Sequence, residues 1–252
     1  MEKTWKNLGK APVVAAVFQL RFDMGQTKLD SFLRFDNIIK RDLPNRTNNI
    51  EANINIPNNT GIPLGRSPIN GAFSEASLKS YLYYTKDQKI KLNISNGEIT
   101  YTSELPYEGW DSFKGSVLKY INMFSPILEK LIIKRTSIRF INQFTLQSFD
   151  DPSEYFNTLI TSTSDDHHLP YPLLKYGFRL NMDISEGIMA NVNQNADKFL
   201  DRYIYIFDLD VLDHNNLIFD IDSVSYVLEN LRKIKNNIFF SNITDKTIQL
   251  CS

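Results

Sequence analysis

Cysteine is all but absent from this chain of 252 residues: Cys251 is the only one. A lone thiol excludes an intrachain disulfide and any thiolate metal cage, and it agrees with a reducing, cytoplasmic location. Net charge is equally scarce. Against 28 Lys and Arg stand 29 Asp and Glu, a formal balance of −1. No global field therefore draws the chain to nucleic acid or to an anionic membrane, and such a partner would need a local basic patch. Long apolar runs are missing too. No window approaches the ~20 apolar residues of a membrane-spanning helix, so no membrane partner is expected. The run Ala11 to Phe18 contains Pro12 and is followed by Gln19 and Arg21 without a small-residue cleavage site, which makes it a strand rather than a signal peptide. In a cytoplasmic chain the Asn-x-Ser/Thr triplets at Asn45, Asn58, Asn93 and Asn242 are not glycosylated. The chain has no G-x-G-x-x-G, P-loop, G-x-S-x-G or H-E-x-x-H motif and no Cys/His nucleophile arrangement, which lowers the expectation of a well-known enzyme class without excluding an enzyme.

What remains is an ordinary globular composition, 42% hydrophobic and 23% charged, but rich in rings, with 17 Phe and 12 Tyr. Rings fill cores and also line binding surfaces. A chain of this length forms one large domain or two tightly packed halves, and buries roughly three quarters of its unfolded surface.

Patterning predicts the elements. Val13 to Phe22 sets Val17, Gln19 and Arg21 against Phe18, Leu20 and Phe22, a strand with one polar face. Leu29, Phe32, Leu33, Ile38 and Ile39 are spaced as in a helix that Pro44 ends. Residues 45 to 72 are dense in Asn, Pro and Gly and read as a loop with one edge strand at Ile50 to Ile56. Leu78 to Tyr84, Ile90 to Ile94 and Ile99 to Ser103 form a meander, its last turn marked by Asn96-Gly97. Trp110, Phe113, Val117, Tyr120, Ile121, Phe124, Ile127 and Leu128 make a helix stripe that Ser125-Pro126 interrupts. A long strand follows, Leu131 to Phe144. Next come a helix from Asp151-Pro152 through Ile160 and a polar loop. Strands near Tyr176–Ile184, Ile188–Gln194 and Tyr203–Leu212 precede a last helix after Asp222. The order strand, helix, three strands, helix thus occurs twice. The expected fold is α+β, with two similar halves, 1–130 and 131–252, and antiparallel sheets covered by helices on one face.

Three segments carry a family resemblance: LGKAPVVAAVFQLRF (Leu8–Phe22), YEGWDSF (Tyr107–Phe113) and RTSIRFIN (Arg135–Asn142). They resemble the L-x-x-A-P-[IV]-x-E-A-x-F-x-[IL]-R-F, Y-x-G-W-x-x-F and R-[IV]-G-L-R-Y-[IV]-N motifs of an uncharacterised, sporadically distributed bacterial family. FDLDVL (Phe207–Leu212) is similar to that family's acidic strand in the second half. Ala15 stands where the family has an acidic residue, and Ser137 where it has glycine. The resemblance implies no established activity. By analogy with other families scattered in this way, it points to accessory modules such as antiphage defence or toxin–antitoxin loci.

Candidate chemistry falls on a few residues. Arg135 and Arg139 share one face of a strand, with Ser137 between them. Arg21 lies on the polar face of the first strand, and Arg179 falls similarly in the second half. Together these guanidiniums form a candidate ligand-binding set for phosphate or carboxylate, or else pair with acidic residues across strands. Asp208 and Asp210 form a D-x-D pair, a candidate Mg²⁺ site or the partners of those arginines, and Asp222 is expected to cap the last helix. Asp165-Asp166-His167-His168 has ligand side chains but the spacing of a solvated loop. Arg232, Lys233 and Lys235 read as a solvated basic run towards the end of the last helix, facing the negative end of its dipole, and Trp110 as a core anchor.

The leading expectation is a non-catalytic binding component that works with a protein partner, as a sensor, adaptor or neutralising partner, and needs no cofactor. One alternative is a Mg²⁺-dependent enzyme on phosphate-bearing or nucleic-acid substrates. Another is a nucleic-acid-binding module, and a homo-oligomer is compatible with each.

Overall fold

The computed structural model describes residues 8–51, 77–147, 154–157 and 175–251. Most of the predicted loop at 45–72, most of the helix expected from Asp151 and the Asp165–His168 cluster lie outside them.

The strands are β1 (Val13–Asp23), β2 (Asn45–Glu51), β3 (Ser77–Tyr84), β4 (Ile90–Ser95), β5 (Glu98–Glu104), β6 (Ile132–Leu146), β7 (Lys175–Ser185), β8 (Ile188–Phe199), β9 (Arg202–Asp213) and the short β10 (Leu217–Ile218). A 3-10 segment, Leu29–Phe35, runs into α1 (Asp36–Ile39). The remaining helices are α2 (Trp110–Met123), α3 (Ser125–Leu128), α4 (Ile221–Asn242) and α5 (Asp245–Leu250). The fold is α+β, but in place of separate sheets there is one continuous antiparallel sheet, ordered β2-β3-β4-β5-β1-β6-β9-β8-β7, with β10 added beside the start of β6. Each half is a meander whose last strand pairs with that half's first strand. The two first strands, β1 and β6, then pair with each other, so the expected boundary near residue 130 runs through the middle of a hydrogen-bonded sheet.

Period-two alternation assigns the faces. Phe18, Leu20 and Phe22 on β1, Ile138, Phe140 and Phe144 on β6, and Tyr205, Phe207, Leu209 and Val211 on β9 are among the most deeply buried described side chains. All the described helices pack on that one face. Trp110 and Phe113 of α2 meet Phe140, Phe239 of α4 stacks on Phe207 at 5.7 Å, and Phe124, which follows α2, meets Phe32 at 5.3 Å. Glu229 of α4 ties the two long helices together by accepting from Trp110 Nε1 at 2.9 Å and Lys114 Nζ at 2.8 Å.

Local signals act largely as expected. Gly97 sits in the β4–β5 hairpin at φ +78°, and a Cβ there would lie 2.9 Å from the Phe22 carbonyl, so both backbone angle and space require glycine. The break between α2 and α3 falls at Phe124, with Pro126 at the start of α3. The cap of α4 is Asp220 rather than Asp222: its carboxylate accepts from Ser223 N at 2.9 Å, because the helix begins at Ile221, two residues earlier than the sequence suggested.

Under β2 and β3, Asp36 organises a second polar cluster. It accepts from Tyr83 Oη at 2.9 Å and Arg46 Nη1 at 2.7 Å, and pairs with Lys40 at 2.6 Å. Burial pushes its carboxyl up, but the hydrogen bonds from Lys40, Tyr83 and Arg46 outweigh burial and hold it below the usual carboxylate range. A depressed folded-state value contributes stability above the unfolded value near ~4, and that contribution is lost as pH falls through the folded value. Replacing Asp36 by Ala also strands the hydroxyl of Tyr83, which has no solvent exposure, and is expected to cost about 1–3 kcal/mol. Urea unfolding at neutral and acid pH checks both points. Wild type should lose more stability on acidification than Asp36→Asn, and equal losses would remove Asp36 from the account.

Candidate functional site on the uncovered sheet face

The opposite face of the sheet carries no packed element among the described residues. Alternation brings Gln19 and Arg21 of β1, Arg135, Ser137 and Arg139 of β6, Asp208 and Asp210 of β9, Asn191, Asn193 and Asn195 of β8 and Arg179 of β7 onto it. A polar face with no layer over it is unusual at the centre of so wide a sheet. Water and side-chain packing must satisfy what a helix would otherwise cover.

Register decides the pairing. Arg139 faces Asp210 across β6–β9, and Ile141 faces Asp208, but the guanidinium of Arg139 reaches along the sheet to Asp208. Its Nε and Nη2 donate to the two carboxylate oxygens at 2.7 and 2.6 Å, a bidentate fork. These bonds hold the Arg139 guanidinium above its usual range against the effect of burial. Arg135 reaches Asp210 less well. A single Nη2 contact at 3.2 Å joins them, and Arg135 Nε is buried without any hydrogen-bond partner. Burial, with Arg21 adding repulsion, pushes the Arg135 guanidinium below its usual range in spite of Asp210. Burial likewise raises the Asp210 carboxyl, against the opposing pull of Arg135 and Asn191.

Arg21 stands directly opposite Arg135 in the β1–β6 ladder and is drawn to Glu98 of β5 instead, Nε to Oε2 at 2.8 Å. Arg179 lies three strands from Arg135 and Arg139 and joins them through a relay. Its Nε donates to Asn193 Oδ1 at 2.7 Å, and Asn193 Nδ2 donates to Asp208 at 3.3 Å. Gly177 leaves room beside this relay for the Asn195 side chain, whose Oδ1 would be 2.3 Å from a Cβ on that glycine.

The four arginines and two aspartates singled out in the sequence therefore share one face: Arg135 and Arg139 pair with the aspartates, Arg179 joins through Asn193, and Arg21 pairs separately with Glu98. The asparagines and Glu98 were not foreseen, although Asn191, Asn193 and Asn195 repeat at period two against Ala190, Val192 and Ala196 on the other face of the strand. Both carboxylates are occupied by guanidiniums, and among the described residues no group of three His, Cys, Asp or Glu is placed to hold a metal. Nearby cations are compensated as well: Lys91 pairs with Glu104 at 2.6 Å and Lys175 with Asp197 at 3.0 Å. No described helix is long and apolar enough to cross a membrane.

Two further features lie outside the arginine lattice. At the β8–β9 hairpin tip, Phe199 and Leu200 are 68% and 81% exposed, and Leu200 has φ +57°. The basic run of α4 is not the solvated stretch the sequence suggested. Positions 232–235 fall in the middle of α4, away from its last turn, and Lys235 lies over the Phe140 ring at 4.3 Å from its centroid. No family model, curated protein or solved structure matches the chain.

Proposed function

We propose that this chain is a non-catalytic binding component and that the uncovered sheet face, with the β8–β9 tip at its rim, receives a protein partner. The observation that carries this reading is charge compensation. Arg21, Arg135 and Arg139 each meet a carboxylate within the face. A track for nucleic acid needs a surplus of positive charge to displace counterions from phosphates, and a compensated lattice offers little. It offers fixed, mutually oriented donors and acceptors, which suit the polar part of a protein interface. Towards the tip the same face turns apolar through Ile206 and Ile204 to Phe199, supplying the hydrophobic contact that such an interface also needs.

Leu200 supports the same reading. A leucine in left-handed backbone geometry at a two-residue hairpin, where Asn or Gly is the usual occupant, costs about 1 kcal/mol. An exposed apolar side chain retained at that cost makes sense if a partner covers it. That the partner belongs to an antiphage-defence or toxin–antitoxin module, in a bacterial cytoplasm, is part of the proposal and rests on the sequence motifs alone.

The test is co-purification of a tagged full-length chain from its native cells, comparing wild type with Arg139→Glu combined with Arg179→Glu. Arg139 is 48% exposed but its partner Asp208 only 9%, so circular dichroism and thermal melting must show the double variant folded, and Arg179→Glu alone, at an exposed residue bonded to Asn193, is the milder arm of the same test. Loss of a stoichiometric protein from the double variant is the expected result. Retention of that protein would refute the assignment of the face. Capture of duplex DNA with a steep salt dependence would favour the nucleic-acid reading. A Mg²⁺-dependent rise in melting temperature, lost in Asp208→Asn, would favour the enzyme. Leu200→Gly is expected to raise stability by about 0.5–1 kcal/mol while weakening the complex, a combination that a purely structural hairpin tip would not give.

A further inference from the structure

On the helical side of the sheet, remote from the arginine lattice, α4 presents Arg232, Lys235, Asn236 and Phe239 at i, i+3, i+4 and i+7 to a cavity of about 540 Å³. The start of α2, Gly109 and Trp110, forms another wall, and Leu8, Pro12, Tyr107 and Phe240 complete an apolar lining. The polar groups here are unusual for what they lack. Lys235 has no ion pair or hydrogen bond among the described residues and rests against the Phe140 ring. The side chain of Asn236 is only 9% exposed and has no hydrogen bond to another described residue. Arg232 lies over the Trp110 ring at 5.2 Å and reaches Glu229 Oε2 at only 3.4 Å, while the other oxygen of that carboxylate serves Trp110 and Lys114.

Two cations one helical turn apart thus face a cavity in which the only acidic residue among the described lining residues, Glu108, is exposed and bonded to Ser112. Like charges at this spacing repel, and a half-buried ammonium that has given up part of its water without gaining a partner is costly. Such an arrangement is stable only if something else supplies the counter-charge or the lysine gives up its proton.

The geometry points to a binding site for a small organic oxyanion, a carboxylate or phosphate on an apolar body, held between Arg232 and Lys235 with Asn236 as a further donor. The anion completes the unspent donors and the apolar body displaces water from Pro12, Tyr107 and Phe239. Without a ligand, burial and the neighbouring Arg232 push the Lys235 ammonium down to about 7, so at neutral pH part of the population is uncharged. An anion reverses the balance, and binding should take up a proton. The groups that face this ammonium are Arg232, Tyr107 and Glu108. Burial holds the Tyr107 phenol up at about 12, and Glu108 is exposed, so the proton uptake is carried by Lys235.

The experiment is isothermal titration of the full chain with phenyl phosphate, benzoate and inorganic phosphate at pH 7.5, in two buffers of different ionisation enthalpy. Millimolar or tighter binding of a phenyl-bearing anion is expected, with net proton uptake. Lys235→Met keeps the apolar stem and removes the buried charge, so the fold should hold or gain stability. It should weaken binding about tenfold or more and abolish proton uptake. Arg232→Gln should weaken binding comparably while leaving proton uptake in place. Preference for phenyl phosphate over benzoate assigns a phosphate ligand, and the reverse assigns a carboxylate. Inorganic phosphate bound as tightly as phenyl phosphate would overturn the apolar part of the site. No binding by any probe at 10-fold millimolar excess, or unchanged binding in Lys235→Met, would overturn the site itself.

Discussion

Phe140→Ala is expected to destabilise the protein by about 3–5 kcal/mol, the range for truncating a fully buried ring. In a chain of this size that is a fall in melting temperature on the order of 10 °C. Phe140 is 1% exposed and sits on β6, where the two halves of the sheet meet. Its ring meets those of Tyr107, Trp110 and Phe113 within 6.4 Å and underlies the Lys235 ammonium. Neither Trp110 nor Phe113 is free to fill the cavity left by alanine, because Trp110 is anchored through Glu229 and Phe113 against Tyr101. Loss of the ring also removes the support of Lys235, so the oxyanion site should weaken in the same variant. Chemical denaturation of Phe140→Ala beside Phe140→Leu measures the packing share. A cost below about 1 kcal/mol for the alanine would show that the seam is not the centre of the core.

Removing one member of the Arg135–Asp210 pair is expected to produce the second largest effect. Asp210→Ala leaves the Arg135 guanidinium, with Nε already unpaired, without the one carboxylate that hydrogen-bonds it among the described residues. Breaking a fully buried pair costs about 3–5 kcal/mol. Both side chains here are 18% exposed, so water reaches them and about 2 kcal/mol is the expected figure. Replacing both partners with apolar residues of similar volume, Arg135→Met with Asp210→Leu, should recover most of that loss, since the desolvation penalty disappears with the charges. The pair of measurements separates two roles. If the double variant is stable but no longer retains the partner, the lattice serves recognition. A double variant as unstable as Asp210→Ala would mean that the ion pair is a net structural gain, and full stability of Asp210→Ala would deny the pair any structural weight.

Most of the fold is legible in residue order. Alternation in Val13 to Phe22 and in Ile132 to Leu146 marks the strands and their polar faces, the stripe from Trp110 to Phe124 marks α2, and Asn96-Gly97 marks a hairpin. These signals are local: each depends on neighbours within a few residues, which is the range over which period and turn chemistry act. The polar sites were legible in part. That Arg135 and Arg139 share a face follows from spacing alone. That their carboxylates are Asp210 and Asp208, and that Arg179 joins them through Asn193, depends on the register of β6 against β9 and of β8 against β9.

The sequence by itself determined the element types, the two-sided character of the strands and the near-neutral charge, because these are properties of composition and local period. Tertiary structure alone decided three things. The halves join through β1 and β6 into one sheet, and no described helix lies on the arginine face. The start of α4 moved its cap from Asp222 to Asp220. And Lys235, which reads as one cation in a solvated run, was turned into a cavity against Phe140. A helix fixes which residues share a stripe, but only packing against the sheet determines which stripe meets the core, and a lysine placed there loses its water without gaining a partner.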